Sequence, residues 1–138
     1  MNTKLLQKVT QSRNYNGIVL IIATIAMSGS LYFSEVLHLY PCKLCWFQRI
    51  LIYPLVAIGI YSLITDRNLY GLVGFLSGSA LLVSGYHSVI QRTSDGICGG
   101  TCSVIQYTVG PFTIPNLAFI ASVLIVTTTA VSYWLSSD

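Results

Sequence analysis

The chain has 138 residues, of which 54% are hydrophobic and only 8% charged, with a formal net charge of +3. A soluble domain carries roughly 25% charged residues, so the composition excludes a soluble globule. The length suits one domain, its solvent is membrane lipid, and no nucleic-acid partner is expected.

Residues 1–16 read as a short polar tail, at most an interfacial helix, carrying Lys4, Lys8 and Arg13. Four long apolar runs follow: Gly17 to Leu37, Phe47 to Ile64, Gly71 to Ile90, and Leu117 to Leu135. A membrane-spanning helix needs roughly 20 apolar residues, with a range of about 17–25, and all four runs qualify. None shows the period-2 alternation of barrel strands, and only a helix satisfies its own backbone in lipid. The expected fold is therefore an all-α, four-helix transmembrane bundle forming a single integral membrane domain over residues 1–138. The first run is too long for a cleaved secretory signal, and three more spans follow it. Pro54 is expected to kink the second span.

Orientation follows from Lys and Arg. The basic tail belongs in the cytoplasm, and so do the Thr65 to Tyr70 turn and the C-terminus. The loop before Cys42 and the longer Arg92 to Asn116 segment then lie outside. That longer segment is rich in Gly, Thr, Ser and Pro and is expected to be irregular and mobile. Tyr40, Trp46, Tyr53, Tyr70, Tyr107, Tyr133 and Trp134 sit near span ends, most of them as an aromatic belt at the headgroups.

All four cysteines fall on the outer side, as Cys42-Lys-Leu-Cys45 and Cys98-Gly-Gly-Thr-Cys102. Disulfides persist outside the cytoplasm and are rare within it. Pro41 marks a helix start, so the first pair opens the second helix or lies just before it. There the helix dipole favours a thiolate. Arg49 follows Cys45 at i+4, on the same face, and an arginine lowers a neighbouring thiol's pKa. This pattern points to redox chemistry. A static disulfide and a zinc site are the alternatives; zinc requires four ligands, which four cysteines straddling a membrane edge would supply awkwardly. Sequence alone leaves three pairings open.

Arg49 and His87 each lie about four residues inside a span, roughly 6 Å deep at 1.5 Å per residue. A cation and an imidazole at one level, beneath a reactive cysteine, can hold the carbonyls of a lipid-soluble quinone. Snorkelling and interfacial anchoring are the plainer roles. Glu35 and His38 are candidates for proton relay or for interfacial anchoring. Gln48 and Gln91 can donate hydrogen bonds near the same depth.

The string Pro41-Cys42-Lys43-Leu44-Cys45-Trp46-Phe47-Gln48-Arg49 resembles the hallmark of the DsbB family, membrane thiol:disulfide oxidoreductases that pass electrons to quinone. The four-span layout and the His87 to Gln91 stretch extend the likeness over nearly the whole chain. The short tail, Leu31-Tyr32-Phe33-Ser34-Glu35 and the close second pair make it similar to the smaller BdbC-type branch. The resemblance implies that Cys45 faces the quinone (menaquinone or ubiquinone) with Cys42 as its partner. It places Arg49 by the quinone and the thiolate, and His87 near the ring. It implies that Cys98 and Cys102 exchange with an extracytoplasmic thioredoxin-fold oxidase of the DsbA/BdbD kind, Cys98 forming the mixed disulfide. It implies a bacterial plasma-membrane location with both termini inside. The spacing of the second pair departs from the better-known members, whose loop cysteines lie far apart.

The expected function is re-oxidation of that partner at the expense of quinone, supporting disulfide formation in exported proteins. A soft-metal carrier or sensor using the four thiols is the alternative from another class. A structural tetraspan protein with inert disulfides is a further one. An enzyme of the vitamin K epoxide reductase type would carry its active pair near the end of a late span, not at the start of the second.

Overall fold

A computed structural model describes residues 3–93, 105 and 107–137. Helix α1 (Thr3–Leu31) runs into a π-helical turn, Tyr32–Val36. Helices α2 (Lys43–Thr65), α3 (Tyr70–Thr93) and α4 (Ile114–Ser137) complete the set. All four are long and apolar enough to cross a membrane, and the chain is an all-α multi-pass bundle. Helix α1 packs on α2 and α4, and α3 packs on the same two, so the helices close a ring in chain order.

The bundle is apolar outside and partly polar within, as lipid demands. Phe75 and Leu82 point outward with 70% and 75% of their surface exposed, while Ser62, Ser77, Ser84 and Ser122 are buried. Ser77, Ser84, Ser122 and Thr129 donate to carbonyls one turn back in their own helices, whereas the Ser88 hydroxyl is buried without a partner among the described residues. Small side chains of this kind let membrane helices approach. The apolar core comprises Tyr15, Val19, Ala23, Leu55, Val73 and Ile125.

Three features differ from the sequence expectation. The polar segment before Gly17 is no separate tail, because from Thr3 it is continuous with α1. Ser12, Tyr15 and Asn16 are buried there because the turn between α2 and α3 and a hydroxyl of α4 answer them. Ser12 Oγ donates to Asn68 Oδ1 at 2.7 Å and Asn16 Nδ2 to the same oxygen at 3.1 Å, while the Tyr15 hydroxyl lies 3.2 Å from Thr129 Oγ1. Tyr70 also serves this seam rather than a belt, its ring tilted against Tyr15 and edge-on to Tyr133 with centroids 4.8 and 5.9 Å away.

At the end of the bundle that carries Cys42, α3 runs on to Thr93 and α4 begins at Ile114, with Pro115 in its first turn where a missing N–H costs nothing. Just before α4, part of the expected irregular segment forms a hairpin, Thr108–Val109 against Phe112–Thr113. Its turn starts at Gly110 with φ of 61°, the geometry that a two-residue Gly-first hairpin turn requires.

Helices α1 and α2 approach closely at Gly59. A Cβ there would stand 3.0 Å from Leu20 Cβ and 3.3 Å from Leu20 Cα. Gly59→Val should therefore lower stability by about 1–3 kcal/mol in thermal unfolding of the detergent-purified protein. Gly78→Ala, which meets nothing within 4 Å, should change it by less than about 0.5 kcal/mol.

Candidate active site

Cys42 caps the N-terminus of α2. Its backbone is extended, with ψ of 171°, and its carbonyl receives the Trp46 N–H at 3.1 Å. Cys45 therefore falls in the first turn, where unpaired backbone N–H groups favour negative charge. The two sulfurs lie 3.0 Å apart, within reach of a disulfide. They occupy different surroundings. Cys42 is buried, with His87 Nε2 3.7 Å from its sulfur. Cys45 is half-buried and lines a cavity of about 480 Å³.

That cavity is built from one stripe of α2 and the facing sides of α1 and α4. Cys45, Gln48, Arg49, Ile52 and Tyr53 line it from α2. Their spacing of i, i+3, i+4, i+7 and i+8 is one helical face. Ile22, Ile25 and Ala26 of α1 and Leu117, Ala121 and Leu124 of α4 make the opposite walls. Polar groups gather only at its cysteine end.

Arg49 is the cation at that end. One terminal nitrogen donates to the Ser30 carbonyl at 3.1 Å and to Ser34 Oγ, while the guanidinium carbon lies 5.6 Å from the centre of the Trp46 ring. Its Nε is buried without a partner among the described residues, as is the Nε2 of Gln48. Ser30, Ser34 and Tyr53 belong to this end as well, with the Tyr53 hydroxyl donating to Ser30 Oγ at 3.4 Å. Sequence spacing could not show them as partners, because they reach Arg49 across the α1–α2 packing. The one local signal was the run of small residues that closes α1.

The remaining candidates divide. Arg49 lies six positions after the start of α2 and His87 six before the end of α3, so the two share a depth. They do not share the cavity. His87, 2% exposed, stands behind Cys42 and is absent from the cavity wall. Glu35 and His38 are exposed at and just after the π-helical turn and do not line the cavity either. Cys98 and Cys102 lie outside the described residues.

The model of the family described as Disulfide bond formation protein DsbB matches residues 12–132. The chain belongs to the DsbB family. It is 40% identical over 131 residues to a protein of Oceanobacillus iheyensis named "Probable disulfide formation protein", covering 87% of this chain and 90% of that one. It is 41% identical over 115 residues to Disulfide bond formation protein C of Bacillus subtilis, covering 77% and 83%. No solved structure matches the chain significantly. DsbB membership, with four membrane-crossing helices, makes this a membrane thiol:disulfide oxidoreductase, and a sulfur pair at a helix N-terminus is what such chemistry needs.

The DsbB-type pair is electrostatically unequal. The Cys42 thiol is pushed up to about 11, first by its hydrogen bond with Cys45 and then by burial, with the His87 contact pulling the other way. A thiol so raised keeps its proton through neutral pH and ionises only well above it. Alkylation of Cys42 by substoichiometric iodoacetamide, followed by mass spectrometry in molecules whose Cys45 is still unmodified, should therefore still be accelerating above pH 9.0, toward a midpoint near 11. Cys45, on the cavity wall, should be modified first. A plateau for Cys42 by pH 9.0 would contradict the assignment.

Proposed function

We propose that this protein re-oxidises an extracytoplasmic thioredoxin-fold dithiol oxidase and passes the electrons to a membrane quinone. The observation that carries this is the placement of Cys45 and Arg49 on one wall of an apolar cavity bounded by lipid-facing helices. The fit to a quinone rests on chemistry: the walls are apolar, and the polar end holds buried N–H donors without acceptors among the described residues. Bound there, a quinone accepts two electrons and two protons and leaves as quinol.

The chain's own residues divide the remaining work. The partner's dithiol reduces the Cys98–Cys102 disulfide, becoming a disulfide itself. That new dithiol reduces the Cys42–Cys45 disulfide by thiol exchange through a mixed disulfide. Cys42 and Cys45 then close their S–S bond again, releasing two electrons and two protons toward the cavity. Cys45 faces the acceptor, and Cys42 closes on it from behind. Arg49, fixed by Ser30 and Ser34, holds positive charge where negative charge develops, which costs little reorganisation. His87 is placed to act on Cys42, as the neighbour that eases loss of its proton. The positive tail supports an orientation with both termini inside and the cysteines outside. The names of the relatives, all of them disulfide formation proteins, support the same activity.

A soft-metal function has one geometric point in its favour. Donor atoms of Cys42, Cys45 and His87 lie within 4.8 Å of one another. Against it, a structural zinc site closes with four ligands, the described residues supply three, and Arg49 sets a cation beside them.

Quinone reduction by the purified protein, driven by a reduced thioredoxin-fold donor, tests the proposal. Cys45→Ser should abolish it. Arg49→Lys replaces a planar fork by a point charge and should raise the quinone KM roughly tenfold to a hundredfold, the worth of a charge-assisted hydrogen bond. Undiminished turnover in Cys45→Ser would exclude the mechanism.

A further inference from the structure

Gln48 is an anomaly in an apolar span. Its side chain is 5% exposed, lines the cavity, and holds an Nε2 with no acceptor among the described residues. A buried donor left unpaired costs free energy that a leucine or methionine at the same place would not. An acceptor that enters the cavity and reaches this amide would offset the cost. Position 48 is one helical turn past Cys45 and adjacent to Arg49, so all three line the same cavity at its cysteine end. Arg49 is in the same condition: Ser30 and Ser34 hold its terminal nitrogen, and its Nε is buried without a partner among the described residues.

We propose that Gln48 is a binding residue for the quinone headgroup, its amide N–H and the Arg49 Nε–H together receiving the carbonyl oxygen nearest Cys45. This deepens the quinone function above and rests on it. The chemistry selects the oxidised form. A quinone oxygen is purely an acceptor and suits two facing donors. A quinol oxygen carries its own hydrogen and is the weaker acceptor, so the same two donors hold it less well. The pair of donors thus binds substrate, stabilises charge arriving on that oxygen, and loosens its hold once reduction is complete.

The test uses the full-length protein with Cys45→Ser, so that no turnover occurs, and a decyl-tailed quinone labelled with ¹³C at its carbonyls. In infrared difference spectra one carbonyl stretch should be shifted down relative to the other. Adding Gln48→Met should move that band back up, weaken quinone binding about tenfold, and leave quinol binding nearly unchanged. The thermal stability of the quinone-free protein should hold or rise, because an unpaired buried donor has been removed. Quinone affinity and carbonyl bands unaltered by Gln48→Met would overturn the assignment of Gln48 while leaving the quinone function intact. Two unshifted bands in the parent protein would overturn it without recourse to the variant. A parent protein that binds no quinone at all would overturn both.

Discussion

A guanidinium two turns inside a membrane span must be answered by oxygen, and the end of α1 answers it. A charged group in lipid is tolerated where it faces the bundle interior with partners. Ser30 and Ser34 provide them, the second from a π-helical turn that widens the helix where it meets Arg49. Such turns are frequent at functional sites. The contact fixes α1 against α2, a seam already tight at Gly59 and Leu20, and it holds the cation at the mouth of the cavity beside Cys45. Without it, the arginine would turn toward the headgroups and the cavity would lose its cation.

The second consequence is a division between the two sulfurs. One helix start carries both, yet Cys42 is turned inward to His87 and Cys45 toward the lipid-facing cavity. On the function proposed above, a pair that gives electrons to an acceptor in the bilayer and exchanges with other thiols would gain from that asymmetry: Cys42, its proton held, would wait behind while Cys45 meets the acceptor. His87 stands at the depth of Arg49 but on the other side of the pair, against Cys42.

Much of this was legible in the order of residues. Four apolar runs announced four helices, because lipid allows the backbone few other solutions. Cys42, Cys45 and Arg49 announced a helix-start sulfur pair with a cation one turn on, because that relation is local and fixed by 3.6 residues per turn. What escaped is what depends on neighbours far along the chain. Ser12 and Asn16 look like a polar tail until Asn68 comes beside them. The depth of His87 follows from rise per residue, but the direction it faces depends on how α3 is rotated against α2, which no spacing encodes. Gln48 was legible only as a candidate hydrogen-bond donor, with Gln91, near the depth of Arg49. Its meaning lies in the partner it lacks, visible only once its surroundings are known.

The central claim is that electrons leave the Cys42–Cys45 pair directly into a quinone held beside Cys45. The most direct measurement is an anaerobic single turnover with the reduced Cys98→Ser/Cys102→Ser protein and a small excess of quinone, following quinol by absorbance and thiols by mass. One quinol formed for each Cys42–Cys45 disulfide closed is the predicted result. Thiols that stay reduced while quinone stays oxidised would contradict it.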